Sequence, residues 1–319
     1  MKVAVANVVV NPRSTLDAPR LAEISPLHRI NDDAHLGQYI PLHYHGQMLS
    51  DERRMASFEE AIARLVPEGA HVVELGAGTG VMSFFASRRA RKVTCIERLP
   101  HVAAAARRLL AANGVADKVT VVEGDARTFM PDEPADVVIC ELLHVALLRE
   151  KQCEVLASFK ERHQATFGKA VPLIIPEASI LAVQPVFQPY DFHGYHAPVT
   201  LFLEPGSVHS NTVEMGEPEV YAVAEYVGDI PGSIAVDGFV VATQKGTINA
   251  LRFITKNLVG IFPSEGRSAE WHMQYMSVPL PRAIEVEAGW AVRIRFQYET
   301  GGSIESLISS LQAELQTDV

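Results

Sequence analysis

The sequence is poor in cysteine: Cys95, Cys140 and Cys153 are the only three in 319 residues. An odd, sparse set without paired spacing is not a disulfide framework, and it fits a reducing compartment. Long apolar runs are also missing, since nothing approaches the ~18 residues of a membrane-spanning helix. Val3 to Val10 reads V-A-V-A-N-V-V-V, is interrupted by Asn7 and is followed by Asn11-Pro12-Arg13. No small-residue cleavage site follows it cleanly, so a short buried strand is expected rather than a signal peptide. Positive charge is the third shortage. The chain has 28 Lys plus Arg against 38 Asp plus Glu, a net charge of −10. An acidic surface repels a phosphate backbone, which disfavours nucleic acid as a partner and mildly favours cationic substrates. Internal repeats and low-complexity tracts are absent. With 48% hydrophobic and 21% charged residues the composition is that of a globular protein. The length exceeds one average domain. A soluble cytoplasmic protein with no membrane partner is expected.

Asp51 to Val66 places Met55, Phe58, Ile62, Leu65 and Val66 at helical spacing. Strands are then expected at His71–Leu75, Lys92–Glu97, Val119–Glu123 and Ala135–Cys140. Helices are expected at Val81–Arg89, His101–Asn113 and Glu150–His163. Strands alternating with helices of this length imply parallel βαβ units. Beyond a boundary near 165–176 the prolines cluster, and β-rich runs follow at Val220–Val227, Phe239–Thr243, Ala250–Thr255 and Ala291–Tyr298. The second half therefore reads as mainly antiparallel β. Ile304, Leu307, Ile308, Leu311 and Leu315 suit a final amphipathic helix, packed on the β half or used in a dimer contact.

Glu74-Leu75-Gly76-Ala77-Gly78-Thr79-Gly80 lies between an expected strand and an expected helix. Its glycines let the backbone turn tightly and approach a ligand, and the helix start adds N–H donors. The spacing G-x-G-x-G differs from the dinucleotide fingerprint G-x-G-x-x-G. Glu74 would repel a pyrophosphate and suits a cationic cofactor, which points to S-adenosylmethionine (SAM). Glu97, at the end of the next strand, can accept from ribose hydroxyls. In Gly124-Asp125-Ala126, after the third strand, Asp125 could meet an adenine amine.

Glu141 is the first residue past the fourth strand and Glu150 opens the next helix, so two carboxylates flank one loop. A SAM sulfonium and a guanidinium are both cations, repelling by roughly 4 kcal/mol at ~4 Å and an effective dielectric of ~20. Two carboxylates offset that repulsion and match the planar guanidinium fork. Methyl transfer then needs mainly alignment and charge stabilisation. The Asn/Asp-Pro-Pro-aromatic run of nucleic-acid amino-methyltransferases is absent here.

These residues resemble the protein arginine methyltransferases. The match runs through Tyr39, His45-Gly46-Gln47-Met48-Leu49-Ser50-Asp51-Glu52-Arg53-Arg54, the Glu74–Gly80 loop and Glu97. It ends on Glu141 and Glu150, which have the nine-residue separation of that family's double-Glu loop. Ile174-Ile175-Pro176-Glu177 is similar to the family's junction into its β-barrel. The resemblance implies a class I SAM-dependent methyltransferase (Rossmann-like) α/β domain followed by an antiparallel β-barrel-like domain. It divides the chain into an entrance segment at 1–50, a SAM-binding domain at 51–170 and a substrate domain at 171–319. It implies that Arg54 binds the SAM carboxylate, that His45, Glu74, Gly76, Gly78, Gly80, Glu97, Asp125 and Ala126 belong to the cofactor site, and that Glu141 and Glu150 clamp the guanidinium. Met48 and Tyr39 would border the substrate.

Departures from the family pattern refine this. The aromatic entrance reads His35-Leu36-Gly37-Gln38-Tyr39, without the first Tyr. The Glu-Leu-Leu start of the double-Glu loop is similar to that of the monomethylating members. The Thr-His-Trp loop reads Glu270-Trp271-His272, so either Trp271 or His272 partners Asp51 beside the substrate. Pro189 to Glu217 is short for the family's helical dimerisation arm, although a homodimer stays open. The expected activity is N-methylation of an arginine guanidinium, on free L-arginine or a small guanidino compound, with protein arginine as the alternative. A SAM-binding scaffold without turnover is the second class. His193 and His196 lack further ligands at metal spacing, so no metal is expected.

Overall fold

The computed structural model describes residues 40–168, 171–205 and 212–316. The expected strand at Val3–Val10 and the residue Tyr39 lie outside the described residues. Helix α1 (Leu42–Ser50) buries none of its side chains. Helix α2 (Glu52–Leu65) starts at Asp51, whose carboxylate accepts from the Arg54 N–H at 3.0 Å. Glu52 in its first turn and Arg64 in its last match the helix dipole. Its apolar stripe buries Phe58, Ala61 and Ile62.

Five strands then form a parallel sheet in the order β3-β2-β1-β4-β5. They are β1 (His71–Leu75), β2 (Lys92–Glu97), β3 (Val119–Glu123), β4 (Val137–Cys140) and β5 (Leu173–Ile175). All five residues of β1 are buried, as a central parallel strand covered on both faces requires. The connecting helices are α3 (Val81–Ser87), α4 (Pro100–Ala112) and α5 (Gln152–Phe167). The chain steps from β1 outward to β2 and β3, then returns to place β4 on the other side of β1. That reversal opens a crevice at the carboxyl ends of β1 and β4, where ligands settle in open α/β sheets.

The second half is antiparallel. A seven-stranded sheet is built on β13 (Gly246–Phe262), which pairs with β6 (Ala178–Phe187), β14 (Arg267–His272) and β15 (Tyr275–Val286). A three-stranded sheet orders β12 (Ser233–Val241), β16 (Ala291–Glu299) and β17 (Gln312–Leu315). Tyr221, Phe253 and Phe296 meet edge to face with centroids 5.2–6.2 Å apart and join the two sheets. The expected class, a Rossmann-like methyltransferase core followed by an antiparallel β domain, is the observed one. Helix α2 joins the halves: at Gly260 an added Cβ would lie 2.9 Å from the Ala61 Cβ, so only glycine allows this approach.

Three expectations are corrected. The last helix, α6 (Ile304–Ser310), is short, and Gln312–Leu315 is strand β17, pairing with β16. Leu311, Ala313 and Leu315 alternate with exposed Gln312 and Glu314, so a period of two governs there. Glu150 does not open α5, which begins at Gln152; Glu154 is the acidic residue of its first turn. Of the expected Phe239–Thr243 strand, Phe239–Val241 form the end of the longer β12, and Ala242 and Thr243 lie beyond it. Between Pro189 and Glu217, the described residues form the β7–β8 hairpin (Asp191–Phe192 and Tyr195–His196), β9 (Leu201–Leu203) and β10 (Val213–Glu214), with no helix among them.

Candidate active site

The loop after β1 follows directly from its glycines. Gly76, Gly78 and Gly80 have φ of +86°, +53° and +82°, in the left-handed region. A Cβ on Gly78 would stand 2.7 Å from Cε1 of His45, so the backbone and the imidazole share a space that no side chain can enter. Glu97 locks this loop: its Oε2 accepts from Gly78 N–H at 2.9 Å and its Oε1 from Leu99 N–H at 2.8 Å. Glu74 accepts from the backbone N–H of Ser83 at 3.0 Å and from the Ser83 hydroxyl. Burial raises its carboxyl to about 8 despite those bonds.

Around this loop lies a cavity of about 1100 Å³, counting its open mouth. Its wall brings together His45, Met48, Arg54, Glu74, Gly76, Gly78, Glu97, Asp125, Ala126, Glu141 and Glu150. Gly80 is not in that wall; it turns the chain into α3 with its α-carbon against Leu110 of α4. Asp125 lines the cavity, but its carboxylate is engaged by Arg127, with Nη2–Oδ2 at 2.6 Å. That ion pair holds the Asp125 carboxyl below the usual carboxylate range. His45 is held down by burial, so its ring is neutral at pH 7.

A second cavity adjoins the first. Asp51, Trp271, His272 and His144 are in its wall, and Met48, Arg54 and Glu141 belong to both. The Arg54 guanidinium pairs with Glu141 at this partition and lies 5.7 Å from the Phe58 ring and 5.8 Å from the Trp271 ring. Among the described residues, the buried Arg54 Nε has no hydrogen-bond partner. Trp271, not His272, reaches Asp51: the indole Nε1–H donates at 3.0 Å. His272 sits in the same wall, held down by burial and by Lys256. Across the first cavity, burial and the charge of Glu141 raise the Glu150 carboxyl well above the ordinary range.

Sequence reasoning missed Phe202 and Gln274, which close the second cavity from β9 and from the turn before β15. Neither lies in a motif, and only the antiparallel pairing of β9 with β15 brings them there. His144 stands edge-on to Phe202 at 5.8 Å, and burial lowers its imidazole to about 4, so it is neutral. Among the described residues, no group of three or more His, Cys, Asp or Glu could hold a metal ion. Nor is any described helix long and apolar enough to cross a membrane.

Residues 72–163 match the model of a methyltransferase domain. An uncharacterized protein of Methanothermobacter thermautotrophicus is 32% identical over 270 residues, which cover 84% of this chain and 97% of that protein. Probable protein arginine N-methyltransferase 6 of Arabidopsis thaliana is 30% identical over 160 residues, 50% of this chain but 36% of its own length. Among solved structures, PRMT1 from the Trypanosoma brucei enzyme–prozyme heterotetrameric complex with AdoHcy superposes with a TM-score of 0.66 at 16% identity, over 86% of this chain and 98% of that one. Arabidopsis thaliana protein arginine methyltransferase 10 does so at 0.65, also with 16% identity, covering 82% and 88%. These two likenesses concern the fold.

The first cavity fits the SAM cofactor of such a domain. Gly76, Ala77 and Gly78 bring bare backbone to the cavity wall, with the His45 ring packed against Gly78. The unpartnered Arg54 Nε offers a buried cationic donor, while Glu74 and Glu97 supply acceptors. A ligand bearing both a carboxylate and positive charge is what this set complements. The glycine loop, the paired glutamates and the antiparallel half thus belong to an enzyme that carries a methyltransferase domain and is similar in part of its sequence, and in its fold, to protein arginine methyltransferases.

Proposed function

We propose that this chain transfers a methyl group from SAM to an arginine guanidinium, on free L-arginine or a small guanidino compound, once per molecule. The position of Glu141 carries the reading: this carboxylate borders both cavities, with Glu150 beside it in the first. A guanidinium entering from the second cavity would meet Glu141 at the partition and Glu150 beyond it, in the first cavity. Residues 51–170 then hold the cofactor and 171–319 complete the substrate side, with 1–50 as the entrance.

SAM, when bound, supplies an electrophilic methyl group. Arg54 holds the cofactor carboxylate, Glu97 the ribose, and Gly76, Gly78 and His45 shape the wall. The substrate guanidinium competes with Arg54 for Glu141 and takes two charge-assisted hydrogen bonds. Glu150, whose carboxyl is raised by burial and by Glu141, becomes the better anion once a cation lies beside it. The two carboxylates would orient one guanidinium nitrogen toward the cofactor side and could take the proton that this nitrogen loses on methylation, so most of the acceleration would come from alignment and charge complementarity. Met48 borders that nitrogen.

Support for a small substrate comes from the stretch 191–203, a hairpin and a short strand where the family's arm would stand. The test is a product assay: purified protein and SAM with free L-arginine, agmatine and a Gly-Arg peptide, read by mass spectrometry. A gain of one methyl on free arginine is expected. Methylation of the peptide alone transfers the reading to protein arginine. SAM binding without any product makes the chain a scaffold.

A further inference from the structure

The segment joining the two glutamates is strained. Ala146, Leu147 and Arg149 have φ of 58°, 55° and 62°, the left-handed region that side chains other than glycine avoid. Such backbone persists only where its surroundings over-determine it. Here the surroundings come from the antiparallel half. The Thr255 hydroxyl on β13 accepts from the Ala146 N–H at 2.7 Å. The turn after β16 adds two bonds: Gly301 N–H donates to Leu147 O, and Arg149 N–H donates to Gly302 O, both at 2.7 Å. Val145 to Leu148 are buried beneath these contacts, and Thr255 is itself fully buried. On the other side, Gln152 bonds the backbone of Leu142 and Cys140. The strained segment therefore has its middle fixed by one half of the protein and its first end by the other.

We propose that Thr255 is a positioning residue for the Glu141–Glu150 pair, its hydroxyl setting the loop that fixes their separation. The β half thereby shapes the reacting site without touching substrate. This rests on the reading of those glutamates as the guanidinium clamp. The geometric ground is independent of it: a buried N–H at a left-handed residue has one side-chain acceptor, supplied from 109 residues away.

Thr255→Val keeps the shape and deletes the acceptor, while Thr255→Ser keeps the hydroxyl. Thr255→Val is expected to lower kcat at least tenfold, with the SAM Kd changed less than twofold. Amide exchange at 145–149 should quicken at least tenfold in parallel. Thr255→Ser should return both to within threefold of wild type. Gly301→Ala, whose Cβ would stand 3.2 Å from Glu150 O, tests the same brace from the opposite side if Thr255→Val folds poorly. It should also lower kcat and quicken exchange. Unchanged exchange at 145–149 in Thr255→Val overturns the proposal whether or not a substrate is turned over. So does a Thr255→Ser variant as impaired as Thr255→Val, or a SAM affinity that falls in step with kcat. Lack of turnover in the wild type, with exchange behaving as expected, would instead count against the guanidinium reading.

Discussion

Trp271 donates its indole N–H to Asp51 at 3.0 Å, while the other oxygen of Asp51 caps α2 by accepting from the Arg54 N–H. One carboxylate thus ties the β half to the helix that carries Arg54. An indole does not titrate near neutral pH, so Trp271 adds no acid–base limb of its own. His45, His144 and His272, which line the two cavities, are all held below the ordinary imidazole value, chiefly by burial. From these groups, turnover should show no limb near pH 6.5, and Trp271→His should introduce one. A kcat/KM profile from pH 5.5 to 9 checks this.

The same bond has a stability consequence. Trp271→Phe removes the donor and leaves a ring beside Arg54. A hydrogen bond to a charged group contributes about 1.5–3 kcal/mol. Urea unfolding should show a loss of that order, with the slope unchanged. Asp51→Ala also removes the helix cap and should cost about 1 kcal/mol more.

Glu74 makes cofactor binding proton-linked. Burial lifts its carboxyl to about 8, so it is mostly protonated in the free protein at pH 7. A cationic ligand favours the carboxylate, lowers that value and releases the proton. SAM affinity should therefore rise between pH 7 and 8, by no more than tenfold. Titration calorimetry near pH 7 in phosphate and in Tris should differ by up to about one proton released, and Glu74→Gln should abolish the difference.

Gly78→Ala places a methyl group against the His45 ring at a backbone angle of +53°. The left-handed conformation alone costs about 1–2 kcal/mol outside glycine. The SAM Kd should rise about tenfold or more. His45→Ala in the same background should recover part of the loss by freeing the space.

What the sequence disclosed depended on locality. The glycine loop, Glu97 and the paired glutamates were readable because each sits at a strand end, where one strand–loop–helix pattern fixes direction. The same motif points to Gly80 as a cofactor contact, yet its neighbour is Leu110, a packing detail that spacing does not encode. Leu311 and Leu315 fit a helix period and a strand period alike, and pairing with β16 decided for the strand. Thr255, Phe202 and Gln274 reach the site only through antiparallel register over long separations, so no local signal marked them. The choice between Trp271 and His272 turned on which side of β14 faces α2.

The paired glutamates are the centre of the account, and Glu141→Gln is the most direct measurement of them. The variant should bind SAM within about threefold of wild type by calorimetry, because Arg54 keeps a neutral acceptor at the partition. Its kcat for methylating free L-arginine, read by mass spectrometry, should fall at least a hundredfold, with Glu150→Gln falling similarly. Turnover by Glu141→Gln at the wild-type rate would contradict the guanidinium clamp.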